Sequence, residues 1–305
     1  MLVNSPTTNE GTGMEQDGVT QSGTISWRDL HADLVDRLGD PSARWLCEEA
    51  SGREGGDWLA HLDDPATVLA VARLDSMSRR RAAGEPLQYV IGHWPFRGLD
   101  LVVDRRVLIP RPETERVVEV ALEELDRLGG RERPTTVVDL GTGSGAIALS
   151  IAVERPLTRV VATDRSSDAI AVARANTTGI GRHGARVTVI EGFWFEPVDR
   201  ALRGAIDLVV SNPPYVAAGN ELPPEVQDWE PAAALRAGDD GLDDIRVIID
   251  GCPDWLSPMG ALVIELAPDQ VGAAAEMARA AGFTSVRSAN DLAGRQRALI
   301  ARLRS

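Results

Sequence analysis

The sequence contains few of the features that mark secreted, metal-binding or membrane proteins. Its 305 residues include only two cysteines, Cys47 and Cys252. They lie far apart and form no CxxC pair, so the sequence suggests neither a disulfide framework nor a zinc site. No apolar run approaches the roughly 20 residues that span a bilayer. We therefore expect a globular protein of the reducing cytoplasm that needs no metal.

Basic residues are scarce relative to acidic ones. There are 32 lysines and arginines against 46 aspartates and glutamates, which gives a formal net charge of −14. Such a balance repels a nucleic-acid backbone unless the basic residues cluster. The densest basic run, three arginines at 79–81, is typical of a solvated helix face. The composition therefore argues against direct binding to DNA.

The first part of the chain divides into a tail and a helical segment. Residues 1–23 are polar, rich in Gly, Ser and Thr, and lack the basic and apolar regions of a signal peptide. We expect them to form a disordered tail. Residues 24–88 carry apolar side chains at helical spacing, with Leu30, Leu34 and Leu38 on one face. This pattern predicts a small N-terminal helical domain.

The remaining chain divides into a linker and a main domain. Residues 89–112 contain two short β-like runs around glycines, at 89–91 and 99–103, which indicate a β-hairpin linker. Residues 113–305 form the main domain. It opens with an amphipathic helix at 113–128, whose apolar residues recur at helical spacing.

Strand-like and helical segments alternate along the main domain. The strand-like segments lie at 136–140, 159–163, 187–190, 206–210 and 262–266, and the helical ones at 146–153, 167–176 and 243–252. This alternation predicts an α/β fold with a doubly wound, mostly parallel sheet. Two final strands, at 284–288 and 297–302, leave no room for a crossover helix, so we expect them to pair antiparallel. The sheet then has seven strands.

A glycine-rich loop follows the first strand of this sheet. It contains Gly141, Thr142, Gly143, Ser144 and Gly145, directly before a helix. Glycines at this place let a ligand approach the backbone at the carboxyl edge of the sheet, where doubly wound folds bind nucleotides. The string satisfies both G-x-G-x-x-A and G-x-G-x-G, so by itself it does not separate a dinucleotide from an adenosyl cofactor.

Two further residues at strand ends suggest contacts with a nucleoside. Asp164 ends the second strand, where a carboxylate can accept hydrogen bonds from both ribose hydroxyls. The alternative role for Asp164 is to cap the following helix, in competition with the serines after it. Trp194 follows the third strand, where it could cover an adenine face or pack in the core with its two flanking phenylalanines.

The fourth strand ends in Asn212, Pro213, Pro214 and Tyr215. Prolines do not continue a sheet ladder, so they form a rigid corner. The side-chain carbonyl of Asn212 and the carbonyl of Pro213 can accept both hydrogens of a planar –NH2 group, and Tyr215 can stack on it. An amide nitrogen is a poor nucleophile, and two acceptors in set positions orient its lone pair towards an electrophilic methyl.

These motifs together resemble the class I methyltransferases that use S-adenosylmethionine and carry Asn-Pro-Pro-Tyr. More narrowly, the chain is similar to the release-factor glutamine methyltransferases of the HemK/PrmC type. The matching strings, in family order, are "GEPLQYVIGHWPFRGLDLVVDRRVLIPRPETE", "DLGTGSGAIALSIA", "SNPPYV", "EVQDWEPAAALRAGDDGLDDIRVI" and "IELAPDQ".

The resemblance implies an activity and a site. The family binds S-adenosylmethionine, leaves S-adenosylhomocysteine, and methylates N5 of the glutamine in the Gly-Gly-Gln motif of peptide-chain release factors. Its cofactor site falls on residues 141–145, Asp164, Trp194 and Asn212. Its amide site falls on residues 212–215, and the helical domain at 24–88 helps to hold the protein substrate. The expected chemistry is direct in-line transfer without a metal.

Three alternatives remain open at this stage. A sister enzyme that methylates a glutamine of a large-subunit ribosomal protein would share the fold, the cofactor and Asn-Pro-Pro-Tyr. An adenine-N6 DNA methyltransferase would need base flipping and a basic groove, which the acidic balance disfavours. A binding protein that only retains the cofactor would not need the complete acceptor motif. We expect a cytoplasmic monomer whose partner is a release factor, with no membrane partner.

Overall fold

The computed structural model describes residues 24–304, and the disordered tail expected at 1–23 lies outside them. The chain divides after Asp75 into two compact units. Among the described residues, no helix is both long and apolar enough to cross a bilayer.

The first unit is helical. Its elements are α1 (Trp27–Leu38), α2 (Asp40–Ser51), α3 (Gly55–Ala60) and the first half of α4 (Val68–Ala82). Ser26 caps α1, because its side chain accepts a hydrogen bond from the Asp29 amide at 3.2 Å. The rings of Trp27 and Trp58 pack edge to face in the core, with centroids 5.6 Å apart. The helical character predicted for this part of the chain is confirmed.

The β-like run predicted at 89–91 is wrong. These residues belong to a short helix, α5 (Leu87–Ile91), which ends at Gly92 in the left-handed conformation. Tyr89 is buried, and its hydroxyl donates a hydrogen bond to the Val107 carbonyl at 2.6 Å. A short apolar run fits a strand or a helix equally well by sequence pattern. Here the tertiary packing of the tyrosine decides between them.

The predicted hairpin is present but lies further along the chain. Its strands are β1 (His93–Phe96) and β2 (Leu99–Val102), paired antiparallel. The two residues of the turn, Arg97 and Gly98, have φ angles of 47° and 74°, as tight hairpin turns require. Arg97 is held in this conformation by Glu154, which accepts two hydrogen bonds from it at 2.8 and 2.9 Å. The sequence pattern thus identified the hairpin but misplaced its first strand.

The second unit is built on a seven-stranded sheet. Its strands are β3 (Thr135–Leu140), β4 (Thr158–Asp164), β5 (Val187–Glu191), β6 (Ile206–Ser211), β7 (Leu256–Glu265), β8 (Ser285–Asn290) and β9 (Gln296–Arg302). They lie in the order β5-β4-β3-β6-β7-β9-β8. β9 runs antiparallel to β7 and β8, and the other pairs are parallel. The predicted sheet, with its final antiparallel pair, is confirmed.

Helices cover both faces of this sheet. They are α6 (Pro112–Arg127), α7 (Ala146–Glu154), α8 (Ser167–Gly179), α10 (Asp243–Trp255) and α11 (Val271–Ala280), while the short α9 (Pro224–Gln227) has no buried residue. Helices α6 and α7 contribute to the core on one face, and α10 and α11 to the core on the other. Strand β6 is buried at every position, which explains its continuous apolar run. The fold is therefore doubly wound, as predicted.

The register of β3 aligns the ends of three neighbouring strands. Leu140, its last residue, pairs with Thr163 of β4 and with Ser211 of β6. The Ser211 hydroxyl also donates to the Leu140 carbonyl at 2.6 Å. Because parallel strands in this register end together, the segments that begin at Gly141 and Asn212 leave the sheet side by side.

Glu124 links the outer helix α6 to the antiparallel end of the sheet. Its carboxylate is 1 % exposed and accepts hydrogen bonds from Arg302 at 2.7 and 2.9 Å, Arg127 at 2.9 Å and Arg287 at 3.0 Å. Burial raises the pKa of Glu124, but the hydrogen bonds from the three arginines outweigh it and hold the pKa at about 2. The cluster therefore stabilises the fold at neutral pH.

Replacing Glu124 with glutamine should lower the free energy of unfolding by about 3 kcal/mol, because three arginines lose their buried counter-charge. The measurement is urea denaturation at pH 7. The matched control is Glu123→Gln on the same helix, whose carboxylate is 53 % exposed and contacts Arg116 at 3.1 Å, so its loss should cost less than about 1 kcal/mol.

The pH dependence tests the same cluster. A carboxylate whose pKa is lower in the folded than in the unfolded state stabilises the fold at pH values above its unfolded pKa. This stabilisation is lost as the pH falls through the pKa of the folded state. The difference in the free energy of unfolding between wild type and Glu124→Gln should therefore shrink as the pH falls below about 4.5 towards about 2. A difference that stays constant over this range would contradict the assignment.

Candidate active site

A cavity opens at the carboxyl edge of the sheet, where β3, β4 and β6 end. Its empty space, counted out to the mouth, is about 990 Å³. The predicted residues that line it are Gly141, Thr142, Gly143, Ser144, Asp164, Trp194, Asn212 and Pro214. Pro231, Ala233 and Ala234 also line this cavity. The fold thus gathers residues that are far apart in sequence around one space.

The glycine loop is held close to the end of β4. The amides of Gly141 and Thr142 both donate to the Thr163 carbonyl at 2.9 Å. Gly141 has a φ angle of 72°, and a Cβ placed there would lie 3.2 Å from the Trp194 ring. A larger residue would therefore strain the backbone and also push against the tryptophan. The glycine requirement at this position has two independent causes.

Asp164 is tied to the loop by its carboxylate. One oxygen accepts from the Gly143 amide and the other from the Ser166 amide, each at 2.9 Å. The cap of α8 is Ser166, whose hydroxyl accepts from the Ala169 amide at 3.2 Å, so the alternative that Asp164 caps this helix is wrong. Burial raises the pKa of Asp164, against the effect of these backbone donors. A carboxylate has about four acceptor sites, which leaves two for hydroxyl groups in the cavity.

Trp194 has an unusual backbone conformation for a non-glycine residue, with a φ angle of 45°. Its carbonyl accepts a hydrogen bond from the Thr163 hydroxyl at 3.0 Å. The ring lines the cavity next to Gly141. The neighbouring Phe195 instead stacks on Trp255 in the core, with ring centroids 5.6 Å apart. The aromatic run therefore divides between the cavity wall and core packing.

Asp139 is a site residue that motif reasoning did not identify. It is fully buried below the glycine loop. One carboxylate oxygen accepts from the Thr142 hydroxyl at 2.6 Å, and the other has no hydrogen-bond partner. Burial raises the pKa of Asp139 to about 7. The sequence signal was the aspartate that opens "DLGTGSG".

Asn212 stands between two cavities. It lines the main cavity and also an adjoining cavity, whose empty space, open solvent included, is about 590 Å³. Its side-chain nitrogen donates to the Thr114 hydroxyl at 3.2 Å, whereas its side-chain oxygen is buried and has no hydrogen-bond partner. A buried oxygen without a partner costs free energy unless a ligand supplies a donor. Asn212 therefore carries an unpaired acceptor and lines both cavities.

The other residues of the corner have different surroundings. Pro213 and Pro214 are buried, and Pro214 lines the main cavity. Tyr215 lines the adjoining cavity, and its hydroxyl donates to Glu265 at 3.4 Å. The structure thus brings Asn212, Pro214 and Tyr215 to the two cavities, whereas Pro213 is buried and lines neither of them.

Thr114 and Glu265 form a polar pair behind Asn212 that motif reasoning also missed. The Thr114 hydroxyl donates to Glu265 at 2.7 Å. The two residues are 3 % and 1 % exposed. Burial raises the pKa of Glu265 to about 7, although the Thr114 hydrogen bond and the charge of Arg297 oppose this shift. The available signals were polar residues in "PRPETE" and at the end of the last parallel strand, "VIELAPDQ".

Comparisons with known proteins agree with this geometry. The methyltransferase small domain model matches residues 118–228, and the PrmC N-terminal domain model matches residues 39–92. The chain is therefore a methyltransferase. The solved structure of the hMettl16 catalytic domain in complex with a 3′UTR hairpin superposes with a TM-score of 0.52 at 16 % identity, over 77 % of this chain and 82 % of that one. That likeness supports the fold alone.

Curated relatives narrow the class to a family. A release factor glutamine methyltransferase of Geobacter sulfurreducens is 40 % identical, over 85 % of this chain and 88 % of its own length. Another, from Bordetella pertussis, is 43 % identical over 87 % of this chain and 97 % of its own length. The chain belongs to the release factor glutamine methyltransferase family, and the resemblance seen in the sequence is confirmed.

Asp139 provides a test of the buried charge below the loop. A carboxyl whose pKa is raised from 3.8 to about 7 in the fold favours folding at low pH, and this contribution is lost as pH rises through about 7. Asp139→Asn should therefore gain stability relative to wild type by about 2 kcal/mol or more between pH 5 and pH 8. The measurement is urea denaturation of both proteins at both pH values. An equal difference at the two pH values would show that the carboxyl does not titrate in this range.

Proposed function

We propose that this protein transfers a methyl group from S-adenosylmethionine to N5 of the glutamine in the Gly-Gly-Gln motif of peptide-chain release factors. The observation that carries the proposal is the unpaired, buried side-chain oxygen of Asn212 at the wall between two cavities. The names of the relatives support the substrate.

The main cavity suits the adenosyl cofactor. Asp164 has two acceptor sites left for ribose hydroxyls after its bonds to backbone amides. The ring of Trp194 offers an apolar face for adenine, and the glycine loop allows close approach of the backbone. When bound, the cofactor supplies an electrophilic methyl on a sulfonium. The reaction product is S-adenosylhomocysteine.

The adjoining cavity suits the acceptor side chain. Its walls include Leu108, Val216, Leu222 and Leu235, which match the methylene groups of a glutamine. At its inner end, the oxygen of Asn212 can accept a hydrogen from the glutamine –NH2. This oxygen would orient the nitrogen lone pair and stabilise the positive charge that develops on nitrogen.

The N-terminal segment has a supporting role in this proposal. Residues 24–88 would hold the protein substrate, followed by the linker at 89–112 and the catalytic domain at 113–305. The match of the PrmC N-terminal domain model to residues 39–92 supports such a module. No role is assigned to residues 1–23.

The alternatives differ in substrate. A glutamine of a ribosomal protein presents the same –NH2 group, so the amide site alone does not reject it. Adenine in DNA is disfavoured by the net charge of −14. A protein that merely retains the cofactor would have no use for an unpaired acceptor at Asn212.

The deciding assay presents labelled S-adenosylmethionine with three candidates: a release factor, the ribosomal protein and an adenine-containing duplex. Peptide mass mapping then locates the added methyl. We expect modification at the Gly-Gly-Gln glutamine. Label found only on the DNA, or a ribosomal protein that gains mass while the release factor does not, would contradict the proposal.

Asn212→Ala should reduce the transfer rate by about 100-fold or more, because the developing charge loses its acceptor. The affinity for the cofactor, measured by calorimetry, should change much less. The matched control is Asn220→Ala, an exposed asparagine in the loop that follows, and it should leave transfer unchanged. Near wild-type transfer by Asn212→Ala would exclude the amide-orienting mechanism.

A further inference from the structure

Two hydrogen bonds link the acceptor residue Asn212 to a buried carboxylate, and a third joins Tyr215 to the same carboxylate. The nitrogen of Asn212 donates to the Thr114 hydroxyl at 3.2 Å, and that hydroxyl donates to one oxygen of Glu265 at 2.7 Å. The Tyr215 hydroxyl donates to the other oxygen at 3.4 Å. These residues come from α6, the end of β7 and the corner after β6, so the network exists only in the folded chain.

The direction of these bonds matters because an asparagine amide has two ends of nearly equal shape. One end is a carbonyl that accepts, and the other is an –NH2 that donates. Only the carbonyl end can receive a hydrogen from a glutamine –NH2. If the amide of Asn212 were reversed, two –NH2 groups would face each other and the site would repel its substrate.

The single proton of the Thr114 hydroxyl determines which end of the Asn212 amide faces Thr114 and which end faces away from it. Ionised Glu265 can only accept, so it takes the proton of Thr114. The Thr114 oxygen is then left to accept, and its partner must be the –NH2 end of Asn212. The carbonyl of Asn212 is thereby directed away from Thr114, in agreement with its lack of any other partner.

We infer that Glu265 and Thr114 are positioning residues that hold the Asn212 amide in the one orientation able to accept the substrate –NH2. The inference rests on the proposed role of Asn212. Thr114 also lines the main cavity, whereas Glu265 lines neither cavity and acts on Asn212 only through Thr114. Their effect is transmitted by hydrogen-bond polarity, which a hydrophobic or purely space-filling role would not produce.

The charges around Glu265 place its titration near neutral pH, so the orientation of the Asn212 amide should depend on pH in that range. Arg297 on β9 favours the ionised form, whereas burial and the charge of Glu113 on α6 oppose it, and the pKa rises to about 7. A protonated Glu265 can donate to the Thr114 oxygen, which frees the Thr114 proton for the carbonyl end of Asn212. We therefore expect the transfer rate to fall as pH drops through about 7.

The test compares Thr114→Val, Thr114→Ser and Glu265→Gln. Thr114→Val keeps the shape but removes the hydroxyl, so kcat should fall about tenfold or more, the effect of losing a charge-coupled hydrogen bond. Thr114→Ser restores the hydroxyl and should recover most of kcat. Glu265→Gln should lower kcat and flatten its pH profile. The cofactor affinity of Glu265→Gln, measured by calorimetry, should stay near that of wild type, because Glu265 lines neither cavity.

A matched control separates positioning from stability. Thr135 is also buried, and its hydroxyl bonds to that of Thr158 at 2.8 Å, at the far end of the sheet. Thr135→Val should lower the melting temperature but leave kcat and its pH profile unchanged. If Thr114→Val retains wild-type kcat, or Thr114→Ser is as impaired as Thr114→Val, the inference is overturned.

A second readout does not depend on activity. The side-chain ¹⁵N–¹H signals of Asn212, assigned by their loss in Asn212→Ala, should shift as Glu265 titrates in wild type and should not titrate in Thr114→Val. Wild-type protein that fails to methylate release factors while showing this titration would refute the proposed substrate and leave the positioning intact. Signals that do not respond to pH in wild type would refute the positioning.

Discussion

The parallel pairing of β3 with β4 and β6 is the constraint on which the site depends. With Leu140 paired to Thr163 and Ser211, the glycine loop and the Asn-Pro-Pro-Tyr corner leave the sheet at the same level. A shift by one residue would turn every side chain of the strand to the opposite face. The relative positions of the glycine loop and the Asn-Pro-Pro-Tyr corner are thus set by one hydrogen-bond register.

Two buried carboxyls support this edge from below, and burial raises the pKa of each to about 7. Asp139 accepts from Thr142 and steadies the glycine loop. Glu265 accepts from Thr114 and, through it, orients Asn212. Both carry a desolvation cost that simple packing would avoid. Buried polar groups of this kind can hold neighbouring side chains in one orientation, because few arrangements satisfy the hydrogen bonds of a buried network.

Sequence reasoning succeeded where the signal is local. Alternating apolar segments predicted the sheet, and glycine and proline strings at strand ends predicted the cavity walls. It failed at 89–91, where a short apolar run is ambiguous and a buried tyrosine favours a helix. It also missed Thr114, because its partners Asn212 and Glu265 lie 98 and 151 residues away.

By itself, the sequence determined the fold class, the family and the residues at the ends of the strands, because periodicity, turn chemistry and motif spacing are properties of the local chain. Tertiary structure alone decided that Thr114 and Glu265 stand behind Asn212 and that the Asn212 oxygen remains unpaired. Hydrogen-bond direction and burial arise only when distant segments meet. For that reason, Asn212 was identified from the sequence and the orientation of its amide was not.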